Sequence, residues 1–336
     1  MKIGVIGAGS WGTALANLLA VKGFPTDLWV FEEETCAQIS EKRENIVFLP
    51  GIKLSENLFP SRDLEKTVSG KNLLLIVTPS HVVRETAEKM ARFVDKGAII
   101  VSASKGIENK THLSMSGILK GIFSHIPEKQ FAALSGPSFA KEVAMRVPTV
   151  VTVASYDQET ASQVQETFAT PYFRVYTSSD MIGVELGGAV KNIIAIAAGM
   201  VDGMGLGLNT RAALITRGLA EIARLGVKLG ANPQTFAGPA GAGDLILTCT
   251  GDLSRNHMVG KKLGEGKKIK EILSDMRMVA EGVKTAKSVY NLSKKLGVEM
   301  PISHAAYHIL YEDLSPKEAL ERLMSRDLRH ELDDPF

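Results

Sequence analysis

The sequence predicts an α/β domain with a doubly wound, largely parallel sheet, followed by an all-α domain. Three observations support this prediction. The chain opens with an apolar run, a cluster of glycines and a helical pattern; strands and helices then alternate to about residue 180; and strand signals stop beyond that point. Such alternation is typical of a parallel sheet covered by helices on both faces. The predicted domains are therefore 1–180, an α/β domain, and 181–336, a helical domain.

The first predicted element is a strand at 2–6, because this run is apolar and β-branched. Gly7, Gly9 and Gly12 follow with the spacing G-x-G-x-x-G, and helical periodicity begins at Thr13. Between a strand and a helix, this spacing is typical of a Rossmann-type dinucleotide site, where the pyrophosphate lies against the helix N-terminus. An ordinary strand-to-helix turn is the alternative, and the spacing alone does not exclude it.

The second predicted strand, at 26–30, ends before Phe31 and Glu32. Glu32 lies at about the distance from the glycines where an acid binds the ribose hydroxyl of a dinucleotide. This placement strengthens the dinucleotide interpretation.

The remaining elements follow from periodicity and breakers. Further strands are predicted at 72–77, 98–102, 131–134, 149–154 and 172–176. Helices are predicted between the strands, and then at 181–200, 210–229, 256–263, 269–276, 285–296, 304–311 and 316–324. The region around Pro50 and Pro60 is predicted to be a loop.

Bulk properties exclude several classes of function. The chain has 336 residues, a formal net charge of +2 and two cysteines. The small charge does not favour nucleic acid or a membrane surface as partner. Without a disulfide framework or a signal peptide, a cytoplasmic location is expected. The seven histidines are scattered, so no metal site is predicted. The apolar stretch 181–201 contains Glu185 and Lys191, which makes a buried helix a better interpretation than a membrane span.

Two lysines are candidates for chemistry. Lys191 lies in a stretch of small and apolar residues, where desolvation lowers an ammonium pKa and makes the lysine a usable acid or base. A lysine whose stem is buried and whose charge reaches water is the alternative. Lys105 follows a predicted strand at its carboxyl end, the edge where α/β proteins bind ligands, although it could also be an ordinary loop lysine.

Three polar segments are candidates for binding. Residues 135–138 could be a plain turn with Ser138 as helix N-cap, or could offer hydroxyl and backbone groups to a ligand. The glycine-rich stretch 238–244 ends in Asp244. Ser254, Arg255 and Asn256 begin a predicted helix, an arrangement suited to phosphate, although an ordinary capped helix explains it equally well.

Taken together, these segments resemble the NAD(P)-dependent glycerol-3-phosphate dehydrogenase family in its bacterial form. The matching motifs occur in the order of the family and span nearly the whole chain. They are GAGSWG at 7–12, SKGI at 104–107, SGPSFAKE at 135–142, LGGAVKN at 186–192, GAGD at 241–244, LSRN at 253–256 and VAEG at 279–282.

The resemblance implies reversible reduction of dihydroxyacetone phosphate to sn-glycerol 3-phosphate with NAD(P)H, in the supply of glycerophospholipids, by a homodimer. It implies that Lys191 donates and accepts the proton. The substrate contacts that it implies are Lys105, Gly136, Ser138, Lys191, Asp244, Ser254, Arg255 and Asn256. The cofactor contacts that it implies are Ser10, Trp11, Lys105, Ala140, Arg255, Val279 and Glu281, beside the glycines Gly7, Gly9 and Gly12. Asp244 either orients Lys191 or binds a substrate hydroxyl.

One position departs from the family. Many bacterial members have a basic residue at the end of the second strand, where this chain has Phe31 and Glu32. An acid there favours the free 2′-hydroxyl of NADH over the phosphate of NADPH, so relaxed or NADH-leaning specificity is expected. Other two-domain dehydrogenases, of the 3-hydroxyacid or 6-phosphogluconate type, and a non-catalytic nucleotide sensor are the competing hypotheses.

Overall fold

The computed structural model describes residues 1–276, 280–328, 330 and 331. These residues form two compact units, Met1–Ser104 with Met115–Met181, and Lys105–Ser114 with Ile182–Phe336. Residues 105–114 lie within the first predicted domain, 1–180. The structure instead groups this segment with the second unit, because its polar groups are held there: Ser288 donates to the Ile107 carbonyl (2.8 Å) and Ser114 donates to Glu185 (2.7 Å).

The first unit is an α/β domain. Its strands are β1 Ile3–Ile6, β2 Thr26–Trp29, β3 Leu58–Ser61, β4 Leu73–Ile76, β5 Ile99–Ser102, β6 Phe131–Ser135, β7 Thr149–Ala154 and β8 Phe173–Ser178. Its helices are α1 Ser10–Val21, α2 Glu33–Lys42, α3 Leu64–Val68, α4 Val83–Met90, α5 Met115–Ile122, α6 Ala140–Ala144 and α7 Gln158–Phe168. The doubly wound α/β prediction is confirmed.

The eight strands form one sheet in the order β3-β2-β1-β4-β5-β6-β7-β8, and among the described strand pairs only β6–β7 is antiparallel. The chain winds from β1 towards both edges, so the carboxyl end of β1 lies at a topological switch point, where open α/β sheets bind ligands. Strands β1, β4 and β5 are buried throughout. Their apolar side chains fill the space between the sheet and the helices on its two faces.

One strand, β3, was not predicted from the sequence. The loop predicted around Pro60 contains β3, which pairs with β2 at the edge of the sheet. Proline has no backbone N–H to donate to a neighbouring strand, but it is tolerated in an edge strand, where its nitrogen can face the unpaired side. The prediction failed because the rule that demotes proline-containing runs does not separate an edge strand from a loop.

The second unit is helical. Its helices are α8 Met181–Gly203, α9 Gly207–Lys228, α10 Asp244–Thr250, α11 Arg255–Gly264, α12 Ile269–Ser274, α13 Glu281–Leu296, α14 Pro301–Tyr311 and α15 Pro316–Met324. The prediction of an all-α second domain is confirmed. Helix α10, which directly follows the glycine-rich stretch, was not predicted.

Helix α8 is long and apolar enough to cross a membrane by length and composition alone. In the structure, 89% of its most apolar window is buried inside the protein. Helix α11 packs on it closely, since a Cβ on Gly199 would collide with the His257 carbonyl and one on Gly260 with the Ile196 carbonyl. This close approach brings the start of α11 near the middle of α8, where Lys191 lies.

A buried carboxylate joins α9 to α14 and makes stability depend on pH. Glu221 accepts hydrogen bonds from the backbone N–H groups of Ile302 and Ser303 at the start of α14. Burial raises the pKa of Glu221 to about 7, although these hydrogen bonds oppose the shift. Because the folded state holds this proton more tightly than the unfolded state, the contribution is present below about pH 4.5 and is lost as pH rises through 7.

We expect Glu221→Gln to flatten this dependence. The pKa shift corresponds to a change in the free energy of unfolding on the order of 3 kcal/mol between pH 4.5 and 8. Urea unfolding at a series of pH values measures it, with Glu41→Gln on the exposed face of α2 as the matched control. Equal pH slopes for wild type and Glu221→Gln would contradict the assignment.

Candidate active site

The glycine turn of the first unit has the geometry of a phosphate-binding turn. Gly7 has φ +117°, and a Cβ on it would lie 3.0 Å from the backbone nitrogen of Thr78. A Cβ on Gly12 would collide with the Gly7 carbonyl, whereas a Cβ on Gly9 would meet no described atom within 4 Å. Gly7 and Gly12 are therefore needed for the turn and its packing, and Gly9 leaves open space beside the start of α1. A pyrophosphate needs this space to reach the N–H groups there.

The segment after α2 supports this turn through Asn45, which was not predicted, and through Phe48, which pairs with the predicted Ser10. Asn45 is buried and donates from Nδ2 to the Ala8 carbonyl (2.8 Å) and to Thr13 Oγ1 (2.8 Å). The Ser10 hydroxyl donates to the Phe48 carbonyl (2.6 Å). The segment after α2 therefore holds the glycine turn in place, and the Ser10 hydroxyl is engaged within the protein.

Several buried polar atoms near the carboxyl ends of the parallel strands are suited to contact with a polar ligand. Within the described residues, Trp11 Nε1, Thr78 Oγ1 and Ser135 Oγ are buried without a hydrogen-bond partner. Thr78 directly follows Val77 at the end of β4 and packs against Gly7, and Ser135 ends β6. Buried polar groups are normally paired, so orphans at the carboxyl edge of a parallel sheet indicate groups that a ligand satisfies. The first unit therefore fits a dinucleotide.

The end of β2 carries the two residues expected to read the ribose. Phe31 is 70% exposed, and its ring lies against Trp29 in an edge-on contact with centroids 6.0 Å apart. Glu32 is exposed and occupies the N-cap position of α2. An exposed aromatic ring beside an exposed carboxylate suits the adenosine end of a dinucleotide.

The turn after β6 carries Gly136, Ser138 and Ala140. Gly136 has φ +148° and packs on Val151, so no other residue fits there without strain. The interpretation of Ser138 as a helix N-cap is wrong, because Phe139 occupies the N-cap of α6 and the Ser138 hydroxyl donates to the Gly136 carbonyl (2.9 Å). This local bond stabilises the turn itself.

The second unit brings together the two candidate lysines and the candidate acid. Lys191 Nζ donates to Asp244 Oδ1, and Lys105 Nζ donates to Asp244 Oδ2 (2.6 Å). Lys191 Nζ also donates to the Thr248 hydroxyl (2.8 Å). That hydroxyl in turn donates to the backbone carbonyl of Asp244 (2.6 Å). Thr248 was not predicted, because its place one helical turn after Asp244 depends on α10, a helix that was not predicted either.

Burial makes Lys191 a usable acid and base near neutral pH. Lys191 is 6% exposed and Asp244 is 1% exposed. Burial lowers the pKa of Lys191 to about 8; the Asp244 carboxylate opposes that shift, and the Lys105 ammonium adds to it. Asp244 holds both ammonium groups, which supports the interpretation of this residue as a lysine orienter. A group with a pKa near the working pH transfers protons efficiently in either direction.

The start of α11 is a candidate phosphate site. Ser254 is its N-cap, with the hydroxyl accepting from the His257 N–H (3.2 Å), as predicted. Although Arg255 is exposed, the protein around its guanidinium desolvates it and lowers its pKa, and the carboxylate of Glu281 opposes this shift. Arg255 and Glu281 therefore lie within electrostatic reach of each other, beside a helix start that favours anions.

Two further predictions concern Val279 and a metal site. Val279, which the resemblance implies as a cofactor contact, lies outside the described residues. In the described part of the chain, no group of three or more His, Cys, Asp or Glu residues could hold a metal ion.

Comparisons with known proteins agree with this geometry. The family model described as NAD-dependent glycerol-3-phosphate dehydrogenase N-terminus matches residues 2–161, and the one for the C-terminus of the same family matches residues 180–321. The glycerol-3-phosphate dehydrogenase (NAD(P)+) of Citrifermentans bemidjiense is 58% identical over 333 residues, 98% of each chain. That of Syntrophobacter fumaroxidans is 56% identical over 331 residues, 98% of this chain and 97% of its own.

Solved structures agree as well. The crystal structure of glycerol-3-phosphate dehydrogenase from Coxiella burnetii superimposes with a TM-score of 0.93 at 40% identity, over 97% of this chain and 99% of its own. With family models matching both parts of the sequence and relatives this similar over nearly its whole length, the chain belongs to the NAD-dependent glycerol-3-phosphate dehydrogenase family.

Proposed function

We propose that this chain is an oxidoreductase that interconverts dihydroxyacetone phosphate and sn-glycerol 3-phosphate with NAD(P)H, and so supplies glycerophospholipid synthesis. The observation that carries the proposal is the buried Lys191, held by Asp244 with a pKa of about 8. A dehydrogenase of this kind needs one group that gives a proton to the new alkoxide and takes it back in the reverse reaction.

Each residue of the site has a separate role in hydride and proton transfer. When bound, the nicotinamide supplies the hydride for the carbonyl carbon of the substrate. Lys191 stabilises the charge that develops on the carbonyl oxygen and donates a proton to it from Nζ. Asp244 orients Lys191 and holds Lys105 beside it through its second carboxylate oxygen. Arg255 and the N–H groups at the start of α11 bind the substrate phosphate, which holds the carbonyl in place.

The first unit supplies cofactor binding in this proposal. The turn from Gly7 to Gly12 would hold the pyrophosphate, and Ala140 and the orphan hydroxyls of Thr78 and Ser135 would line the cofactor. We include in the same proposal that 1–180 is the nucleotide-binding domain and that 181–336 is the catalytic and substrate-binding domain. Lys105 lies within 1–180 in the sequence but pairs with Asp244 of the second unit.

The test is an assay of NADH and NADPH oxidation with dihydroxyacetone phosphate, run in parallel with 2-keto and 3-keto acids. We expect turnover with dihydroxyacetone phosphate only. Turnover of a ketoacid would favour another two-domain dehydrogenase. Cofactor binding without any turnover, unchanged in Lys191→Ala, would favour a nucleotide sensor.

The preference between the two cofactors is a separate prediction. Because Phe31 and Glu32 place a carboxylate rather than a cation at the end of β2, we expect kcat/KM for NADH to equal or exceed that for NADPH. Replacing Glu32 by arginine should shift the ratio towards NADPH by about ten-fold or more, the usual size of one charge-assisted hydrogen bond. The exposed Glu41→Arg on α2 is the matched control. A strong NADPH preference of the wild type would contradict the prediction.

We also infer a homodimer in the cytoplasm. Membership of the family supports the dimer, and the ordinary charge and the two free cysteines support a reducing compartment. Light scattering at micromolar concentration tests the dimer, with a monomer mass of 36.2 kDa as the opposing outcome.

A further inference from the structure

We propose that Asn45 and Thr13 together hold the Ala8 carbonyl towards the interior of the first unit, and so aim the N–H group of Gly9 at the pyrophosphate of the cofactor. Asn45 is then a positioning residue, which acts on the cofactor through the glycine turn and not by contact. The identity of the ligand rests on the proposed function, whereas the hydrogen bonds within the turn do not.

The Ala8 carbonyl lies in the middle of the glycine turn and accepts two hydrogen bonds from side chains. Asn45 Nδ2 donates to it (2.8 Å), and Thr13 Oγ1 donates to it as well (3.1 Å). Asn45 Nδ2 also donates to Thr13 Oγ1 (2.8 Å), which leaves the hydrogen of that hydroxyl for the carbonyl. Both side chains are fully buried, so the carbonyl that they bind faces the interior.

The Asn45 amide is itself held in one orientation. Its Oδ1 accepts from the backbone N–H of Phe48 (3.1 Å), which leaves Nδ2 facing the turn. The backbone carbonyl of Asn45 accepts from the N–H of Leu49 (2.8 Å), so the main chain is fixed too. An aspartate of the same shape would bring no donor to the Ala8 carbonyl, and this position therefore needs the amide.

Fixing this carbonyl also fixes the direction of the N–H group of Gly9. The two groups belong to one planar peptide unit, in which a trans bond points them in opposite directions. Within the described residues, the Gly9 N–H makes no hydrogen bond, and a Cβ on Gly9 would meet no atom within 4 Å. The N–H therefore points into the open space at the start of α1, beside the other N–H groups that a helix start offers to anions. A reversed peptide would present the Ala8 oxygen to the phosphates and repel them.

A second buried asparagine supports the same helix without reaching the turn. Asn17 is 7% exposed, and its Oδ1 accepts from the backbone N–H of Ser55 (2.8 Å). It thus ties α1 to the segment after α2, as Asn45 does, but it lies one turn of helix beyond Thr13 and contacts no group of the glycine turn. Comparing Asn45 with Asn17 separates support of the helix from orientation of the peptide.

The test measures the affinities of NADH, ADP and adenosine for the wild type and for Asn45→Ala, Asn45→Asp, Thr13→Val and Asn17→Ala. Fluorescence titration gives the affinity for NADH, and displacement of NADH gives those for ADP and adenosine. ADP carries a diphosphate and adenosine does not, so the ratio of their affinities reports on the phosphate-binding turn alone. The Tm of each variant is the measure of stability.

We expect Asn45→Ala to weaken the binding of NADH and ADP about ten-fold, as for loss of one hydrogen bond to a charged group, and to leave adenosine within about two-fold. Asn45→Asp should weaken both further, because its carboxylate repels the Ala8 carbonyl and the phosphates. Asn17→Ala should lower Tm and keep the wild-type ratio of ADP to adenosine. If the Asn45 variants do not fold, Thr13→Val, which keeps the shape and removes one of the two donors, should give the same selective loss at a smaller size.

Three outcomes would overturn the role of Asn45. Equal losses for ADP and adenosine would show general damage to the first unit. A lowered Tm with wild-type affinity for NADH and ADP would make Asn45 structural only. A loss of ADP affinity in Asn17→Ala as large as that in Asn45→Ala would show that any loosening of α1 has this effect. The expected pattern in a protein that does not turn over dihydroxyacetone phosphate would leave the role of Asn45 intact and refute the proposed function.

Discussion

Replacing Lys191 by alanine is expected to lower kcat for the reduction of dihydroxyacetone phosphate about 10³-fold, within the range found for loss of a general acid. The side chain is buried, is held by Asp244 and Thr248, and has a pKa lowered by burial to about 8. Cofactor affinity should stay within about two-fold of wild type, because the residue belongs to the second unit and the glycine turn to the first. Stopped-flow measurement of NADH oxidation, with fluorescence titration of NADH binding, separates the two effects.

The pKa of Lys191 also sets the expected pH dependence of the wild-type reaction rates. Reduction needs the ammonium form of Lys191, so kcat should fall as pH rises through about 8; oxidation needs the neutral amine, so its rate should rise over the same interval. Lys89→Ala, at an exposed ion pair on α4, is the matched control and should keep both profiles. Reduction by Lys191→Ala at more than a tenth of the wild-type rate would contradict the assigned role.

Much of the fold could be predicted because its signals are local. The β1 strand, the three glycines and the start of α1 lie within a dozen residues, and each has its own physical reason for its place. The buried α8 could be recognised because charged residues are costly inside a membrane span. Strand β3 could not be predicted, since only its pairing with β2 makes a proline-containing run a strand. The grouping of 105–114 with the second unit depends on contacts with residues more than 70 positions away.

The residues of the candidate site were likewise predictable only where their signal is local in the sequence. Lys191 stood out because a lysine among small apolar residues is unusual, and Ser254 because its capping pattern is local. Asn45 gave no comparable signal, because it matters for the backbone carbonyl and the hydroxyl that it meets 37 and 32 residues away. The resemblance to a family supplied candidate residues, but it did not give the contacts that hold them in place, such as the hydrogen bonds of Asp244 with Lys191 and Lys105.

Asp244→Asn is expected to lower both activity and stability. The carboxylate is 1% exposed and accepts from two ammonium groups, Lys191 and Lys105. Its charge raises the pKa of Lys191 against burial, so the neutral amide should move that pKa below about 8. The fall of the reduction rate should then occur at lower pH, and kcat at about pH 7.5 should drop about 10²-fold. Breaking a buried ion pair from one side should also lower the free energy of unfolding by about 3 kcal/mol.

Asp27→Asn is the control that separates these effects. Asp27 binds Lys71 at 2.6 Å in the first unit, in a pair that is also largely shielded from solvent. Its loss should lower Tm while leaving the pH profile of kcat in place. If Asp244→Asn lowered Tm but kept the wild-type pH profile, Asp244 would be a structural counter-ion, and the pKa of Lys191 would be set by burial alone. A profile that shifts in Asp244→Asn and returns towards wild type in Asp244→Glu, which keeps the charge, would instead show that the proton transfer depends on the carboxylate.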